Sequence, residues 1–199
     1  MAKHKRKNVA GHAVSGVIIA AVLLLALCFI YATVYKPWSM KSRYILEYEE
    51  TIRAHSEQYG VDPYLVAAMI YCESTYNPQA VSSVGARGLM QVMPDTGEWI
   101  AKKIDIEEFT EDMLFDTSIN IEMGCWYMSF LLERYEGNQS CAVGAYHCGH
   151  GKMDGWLEDP MISSDGKTLE NIPEGETKKY INRVNNAYDI YKELYPDIF

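Results

Sequence analysis

Glu73 is the residue whose type and setting suit it best for chemistry. Val66, Met69, Ile70 and Glu73 recur at i, i+3, i+4 and i+7, so they share one face of a helix. Burial in that apolar stripe disfavours the charged carboxylate. The C-terminal end of a helix carries partial negative charge and acts in the same direction. Both effects raise a carboxyl pKa from about 4.3 toward neutrality, where the acid can donate a proton at physiological pH. Protonation of a leaving oxygen is what cleavage of a glycosidic bond requires. The pattern is equally compatible with a glutamate at a helix edge, paired with Arg87, because structural ion pairs also occupy carboxylates.

Helices must position this acid. Tyr44, Ile45, Tyr48, Ile52, His55 and Tyr59 recur at spacings of three or four and predict a helix over 44–59, ended by Gly60. Asp62 as N-cap and Pro63 at the first position open the helix that carries Glu73. Asn77-Pro78 stops it. Residues 79–94 read as a loop. Asp95 or Thr96 is expected to cap a helix through about Lys103, and further helices are expected over 119–135, 141–148 and 177–194. The last carries Tyr180, Val184, Ala187, Tyr188 and Tyr191 on its inner stripe. Residues 152–175 are expected to be an ordered loop. With no alternating strand pattern and no repeat, the fold class is all-α.

The ends of the chain differ in charge. The first 36 residues hold Lys3, Lys5, Arg6, Lys7 and Lys36 and no acidic residue. Residues 37–199 then carry 13 basic and 27 acidic side chains, a net of −14. So acidic a surface repels nucleic acid and suits a neutral or zwitterionic substrate. Ser15 to Val34 is a run of 20 residues without a charge, and a membrane-spanning helix needs about 20. A cleaved signal peptide would have an apolar core of about 7–15 residues and a small-x-small site. The longer run here and its ending in Tyr35-Lys36-Pro37-Trp38 favour an anchor. The preceding basic cluster places the N-terminus in the cytoplasm. The expected organisation is a cytoplasmic tail at 1–14, a transmembrane anchor at 15–35, a linker at 36–43 and an extracytoplasmic domain at 44–199. The linker spans at most about 28 Å if extended.

Cys28 falls in the membrane, and Cys72, Cys125, Cys141 and Cys148 fall outside, where disulfides persist. Four cysteines allow three pairings. His147 and His150 flank Cys148, but a structural zinc site wants a second paired set of ligands, so neither metal nor cofactor is expected.

Five ordered segments carry a resemblance. They are Tyr-Gly-Val-Asp-Pro at 59–63, Glu73-Ser74-Thr75-Tyr76-Asn77-Pro78 with Ser82 and Gly85-Ala86-Arg87-Gly88-Leu89-Met90-Gln91-Val92-Met93-Pro94, Asn120-Ile121-Glu122-Met123-Gly124, Gly144-Ala145-Tyr146, and Glu176-Thr177-Lys178-Lys179-Tyr180. Over roughly residues 44–195 the chain closely resembles the catalytic domain of soluble lytic transglycosylases. The resemblance implies a lysozyme-like α-helical domain with a sugar-binding cleft, here preceded by one transmembrane helix, and peptidoglycan glycan strands as its partner. It implies that Glu73 protonates the oxygen between N-acetylmuramic acid and N-acetylglucosamine, then acts as base on the muramyl 6-hydroxyl to close a 1,6-anhydro ring. It places Ser82, Gln91, Met93, Tyr146, His147, Glu176 and Tyr180 along the cleft, with Tyr146 hydrogen-bonding near the acid. Ser82 is also readable as a turn hydroxyl, Met93 as core packing, Tyr146 as a half-buried aromatic and Glu176 as a helix cap.

The chain departs from the family's usual Ala-Tyr-Asn-Ala-Gly-x-Gly. It reads Ala-Tyr-His-Cys-Gly-His-Gly at 145–151, with His147 in the asparagine's place. That histidine can replace the lost hydrogen bond or add a pH-dependent charge. A Cys72–Cys148 bridge would pin two site segments together; two buried thiols are the plainer expectation. Two other functions remain open. A hydrolytic lysozyme would need a second carboxylate about 6.5–9.5 Å from the acid, and Asp95 is the best candidate. A wall-binding or scaffolding subunit of a membrane machine would not need Glu73. Protein partners are not legible in the sequence.

Overall fold

Asp62 and Pro63 begin the central helix as the sequence predicts. The Asp62 carboxylate accepts from the Tyr64 amide at 2.9 Å, with Pro63 at the first helical position. A computed structural model describes residues 2–199, with side chains from Ser15 onward. The helices are α1 (Ala2–Ile30), α2 (Lys36–Arg43), α3 (Glu49–Tyr59), α4 (Pro63–Ser74), α5 (Pro94–Ala101), α6 (Thr117–Arg134), α7 (Gln139–Cys148), α8 (His150–Glu158) and α9 (Glu176–Leu194). A π-helical turn, Tyr31–Tyr35, joins α1 to α2, and a 3-10 turn, Glu111–Phe115, precedes α6. Among the described residues β structure is limited to isolated bridges, Val81 with Arg87 and Arg87 with Val92.

The chain divides into two compact units, one ending at Arg43 and the other running Tyr44–Phe199. In the first, Ser15–Arg43 is one continuous helical stretch, long and apolar enough to cross a membrane. Tyr31, Tyr35 and Trp38 cluster beyond its most apolar part, with ring centroids 5.5 and 6.1 Å apart. Residues 36–43 are helical rather than extended, so they measure about 12 Å instead of 28 Å.

In the second unit α4 is the core helix. Tyr64 to Ile70 are buried, and α4 lies along α9 and against α3. α6 packs on α3, α5 and α7, and α7 packs on α8 and α9. Two expectations for this unit fail. The helix predicted over 44–59 begins only at Glu49. The carbonyls of Tyr44 and Ile45 accept instead from the hydroxyls of Tyr195 and Tyr191, at 2.9 and 2.5 Å. The Tyr44 ring is buried against Tyr71, centroid to centroid 4.7 Å. The loop expected at 152–175 begins inside α8, a nine-residue helix. Met153 is buried beneath it, and Asp154 binds Arg134 and the Tyr135 hydroxyl, so tertiary contacts hold a helix that Gly151 and Gly155 weaken.

One buried amide organises the loop beside α4. Asn120 is 0% exposed. Its Oδ1 accepts from the Met90 amide at 2.7 Å, and its Nδ2 donates to the carbonyls of Arg87 and Leu114 at 3.0 and 2.8 Å. Gly88 has φ +76°, and a Cβ there would collide with the Leu114 carbonyl and the Asn120 amide, so only glycine fits. Asn120→Ala leaves buried backbone groups unpaired. We expect it to cost about 2–4 kcal/mol and lower Tm by roughly 5–15 °C, measured by thermal unfolding of the detergent-solubilised chain.

Candidate active site

Glu73 lies three residues beyond the buried run of α4 and one residue before the helix stops, and Thr75 and Tyr76 follow at positive φ. The chain turns away there and leaves the half-buried carboxyl facing α9. The Tyr180 hydroxyl, from the first turns of α9, donates to Glu73 Oε1 at 2.5 Å. Burial pushes the Glu73 carboxyl up to about 7; the Tyr180 hydrogen bond and the nearby Arg183 guanidinium pull it back. The group is therefore close to half protonated at neutral pH, the condition for giving and taking a proton in one cycle. Arg87 is not its partner: that guanidinium pairs with Glu111 at 2.5 Å and Asp112 at 3.5 Å.

The structure gathers some of the expected residues around this acid and sets others apart. Tyr180 is buried, and the His147 ring lies 4.7 Å from its ring. His147 Nδ1 is 3.2 Å from Thr177 Oγ1. Burial, and then Arg183, lower the imidazole below its ordinary range, so His147 is neutral at pH 7. Tyr146 does not bond the acid; its hydroxyl donates to the Met90 carbonyl at 2.9 Å and so ties α7 to the loop under the site. Its own hydroxyl feels the Glu73 charge, which places it nearby. The phenol that binds the carboxyl is Tyr180.

Gln91 and Ser82 act within the loop. Gln91 sits at φ +49° and its amide donates to the carbonyls of Gly88 and Ala80, at 2.8 and 3.2 Å. Ser82 Oγ accepts from the amides of Val84 and Ala86, at 3.3 and 3.0 Å, a turn role. Met93 is exposed and is itself the N-cap of α5, without a side-chain bond. Asp95 therefore lies inside the first turn and caps nothing, contrary to expectation. Glu176 is exposed at the start of α9, pairs with Lys179 at 2.8 Å, and does not cap the helix, whose N-cap is Gly175. All five cysteines are free thiols, so the Cys72–Cys148 bridge is not formed. Burial pushes the Cys72 thiol, next to Glu73, up to about 11, so it stays neutral beside the acid. Arg183 was missed by sequence reasoning; its one signal is a place three residues after Tyr180 on the same helix.

The same electrostatics give a test that needs no substrate. A Glu73 pKa of about 7 in the fold, above the ordinary 4.5, means its stabilising contribution is complete below pH 4.5 and is lost as pH rises through 7. Glu73→Gln removes that loss while keeping an acceptor for Tyr180. Thermal unfolding should find the variant more stable than the parent by about 1–3 kcal/mol at pH 8, with the gap closing near pH 4.5.

The chain is 30% identical over 159 residues to "Soluble lytic murein transglycosylase" of Escherichia coli, covering 78% of this chain and 24% of that one. It is 31% identical over 169 residues to "Membrane-bound lytic murein transglycosylase C" of Edwardsiella ictaluri, covering 74% and 47%. An inactive glutamate-to-glutamine mutant of the lytic transglycosylase Slt from Pseudomonas aeruginosa superposes with a TM-score of 0.70 at 28% identity, over 77% of this chain and 25% of that one. The chain thus spans a quarter to just under half the length of these relatives. The family model "Transglycosylase SLT domain" matches residues 50–168, which includes Glu73, the 79–94 loop, Asn120 and Tyr146, and the chain belongs to that family.

Proposed function

We propose that this protein is a peptidoglycan lytic transglycosylase that cleaves the β-1,4 bond between N-acetylmuramic acid and N-acetylglucosamine and leaves 1,6-anhydromuramyl ends. The observation that carries the reading is a carboxyl near pKa 7, half-buried and held by a buried phenol, in a chain of this family. Protonated Glu73 gives its proton to the bridging oxygen as the bond to the muramyl anomeric carbon breaks. The carboxylate left behind is stabilised by the Tyr180 hydroxyl and the Arg183 charge. It then accepts the proton of the muramyl 6-hydroxyl as that oxygen bonds the anomeric carbon. Glu73 ends protonated, no water is consumed and no metal or cofactor takes part. The glutamate-to-glutamine change that accompanies inactivity in the Pseudomonas relative is consistent with one essential acid.

The hydrolytic alternative drew on Asp95. The groups that act on the Glu73 carboxyl are Tyr180 and Arg183, with Asp95 not among them, and Asp95 faces a separate hollow with Trp99 and His150. Ser82, Gln91, Met93, Tyr146 and Glu176 are assigned to shaping the cleft rather than to proton transfer. We read the apolar helix as a single-pass anchor at residues 15–35, with the N-terminus cytoplasmic and residues 44–199 outside. The cluster of Tyr31, Tyr35 and Trp38 is typical of a membrane–water boundary. Eight helical residues then limit how far from the bilayer the chain can act, which favours nascent strands as substrate.

Mass spectrometry of peptidoglycan digested by the detergent-solubilised chain should find anhydromuramyl ends. Glu73→Gln should reduce them by at least about 10³-fold, since acid and base roles fall on the same group. Reducing ends instead would make the protein a hydrolase, and undiminished products from the variant would remove Glu73 from the mechanism. The rate should fall as pH rises through about 7, as the acid is titrated. Tyr180→Phe deletes a hydrogen bond that favours the carboxylate. It should move that limb to higher pH and lower kcat by about 10–100-fold, read from pH–rate profiles.

A further inference from the structure

A hollow of about 400 Å³ opens between α5 and α6, lined by Asp95, Thr96, Trp99, Tyr127 and His150. Three features make it more than a surface dent. First, Trp99 is 37% exposed, yet its ring is held by edge-to-face contacts with Trp126, Tyr127 and Phe130, at centroid distances of 5.1, 6.1 and 5.4 Å. An aromatic wall whose ring cannot turn is ready to receive a ligand without loss of side-chain freedom. Second, Asp95 has no hydrogen bond or ion pair among the described residues, while the neighbouring acids are engaged, Glu98 by Lys102 and Glu111 by Arg87. Third, the wall of the hollow touches a residue near the site: Tyr127 packs on Tyr146, centroid to centroid 5.3 Å, and Tyr146 lies within the field of Glu73.

A free carboxylate beside two aromatic faces is the chemistry that holds an ammonium group, by charge and by attraction to the rings. The strongly acidic outer unit adds a long-range field of the same sign. Resting on the function proposed above, we propose that this hollow binds the free side-chain amine of a peptidoglycan stem peptide, with Asp95 pairing with the ammonium and Trp99 and Tyr127 walling it. A stem attached to the muramyl residue reaches about 10 Å over three extended residues, so its amine lies away from the reacting sugar. The site would favour strands whose stems are not cross-linked through that amine.

The test uses co-sedimentation of the full chain carrying Glu73→Gln with insoluble peptidoglycan, either untreated or with its free amines acetylated. Acetylation should weaken binding about fivefold. Asp95→Asn should weaken binding to untreated polymer by the same factor, and acetylation should then have no further effect, since both changes remove one contact. Trp99→Leu should give a smaller loss. Both positions are exposed, so folding is retained, and circular dichroism checks it. Indifference of the Glu73→Gln chain to acetylation overturns the inference, and so does an acetylation effect that persists undiminished in Asp95→Asn. Either result leaves the proposed function standing. No binding to either polymer removes both.

Discussion

A single hydrogen bond joins the early and late helices of the unit 44–199: the Tyr180 phenol on α9 donates to the Glu73 carboxyl on α4. The two residues lie 107 positions apart, so the bond exists only when α9 has closed along α4. Much of the surrounding architecture serves that closure. Tyr191 and Tyr195 bind the carbonyls of Ile45 and Tyr44, Tyr64 binds the Tyr195 carbonyl, and Tyr188 binds the Asp62 carboxylate at the start of α4. A row of phenols thus bridges α9 to the segment before α3 and to both the cap and body of α4. Each such bond is worth only about 1 kcal/mol net, but together they fix the register of α9 within the tolerance that a 2.5 Å contact requires.

The opposite wall is irregular and solves a different problem. The 79–94 segment has almost no ladder, so its backbone groups need partners from elsewhere. Asn120 supplies two from outside the segment, and within it Gln91 supplies two and Ser82 two more. Two side chains that the family resemblance places along a cleft, Ser82 and Gln91, here brace the loop's own backbone. That does not divorce them from function, because a loop braced by side chains keeps its surface where a substrate expects it.

How much of this was legible follows from what each feature depends on. The cap and start of α4, its apolar stripe and the raised acid are local, and spacing of residues revealed them. α8 was hidden because its nine residues include two glycines and bury only Met153; what forms it is Asp154 meeting Arg134 and Tyr135 from another helix. The helical spacing holds for Ile52, His55 and Tyr59, but Tyr44, Ile45 and Tyr48 lie before the helix: Tyr44 packs on Tyr71, and the carbonyls of Tyr44 and Ile45 accept from phenols of the C-terminal segment. Asp95 looked like a cap because it precedes a helical run; Pro94 can occupy the first helical position and moves the boundary back to Met93. Which of two tyrosines meets the acid is a question of tertiary register, and motif order cannot answer it.

The replacement of the family asparagine by His147 shows how narrow the electrostatic tolerance is. An imidazolium 4.7 Å from the Tyr180 ring would add a second positive charge to that of Arg183 and draw Glu73 back toward its ordinary acidity. The acid would then be spent at neutral pH. Burial and Arg183 lower the imidazole below its ordinary range, and Thr177 Oγ1 lies within hydrogen-bond distance of Nδ1, so His147 is a polar, uncharged neighbour of Tyr180. Cys72 fits the same constraint from the other side: a thiol held protonated adds no negative charge beside Glu73, whereas a thiolate would raise the carboxyl further. Burial raises the Glu73 carboxyl, and the charge that opposes it among the described residues is Arg183, beside the Tyr180 hydrogen bond.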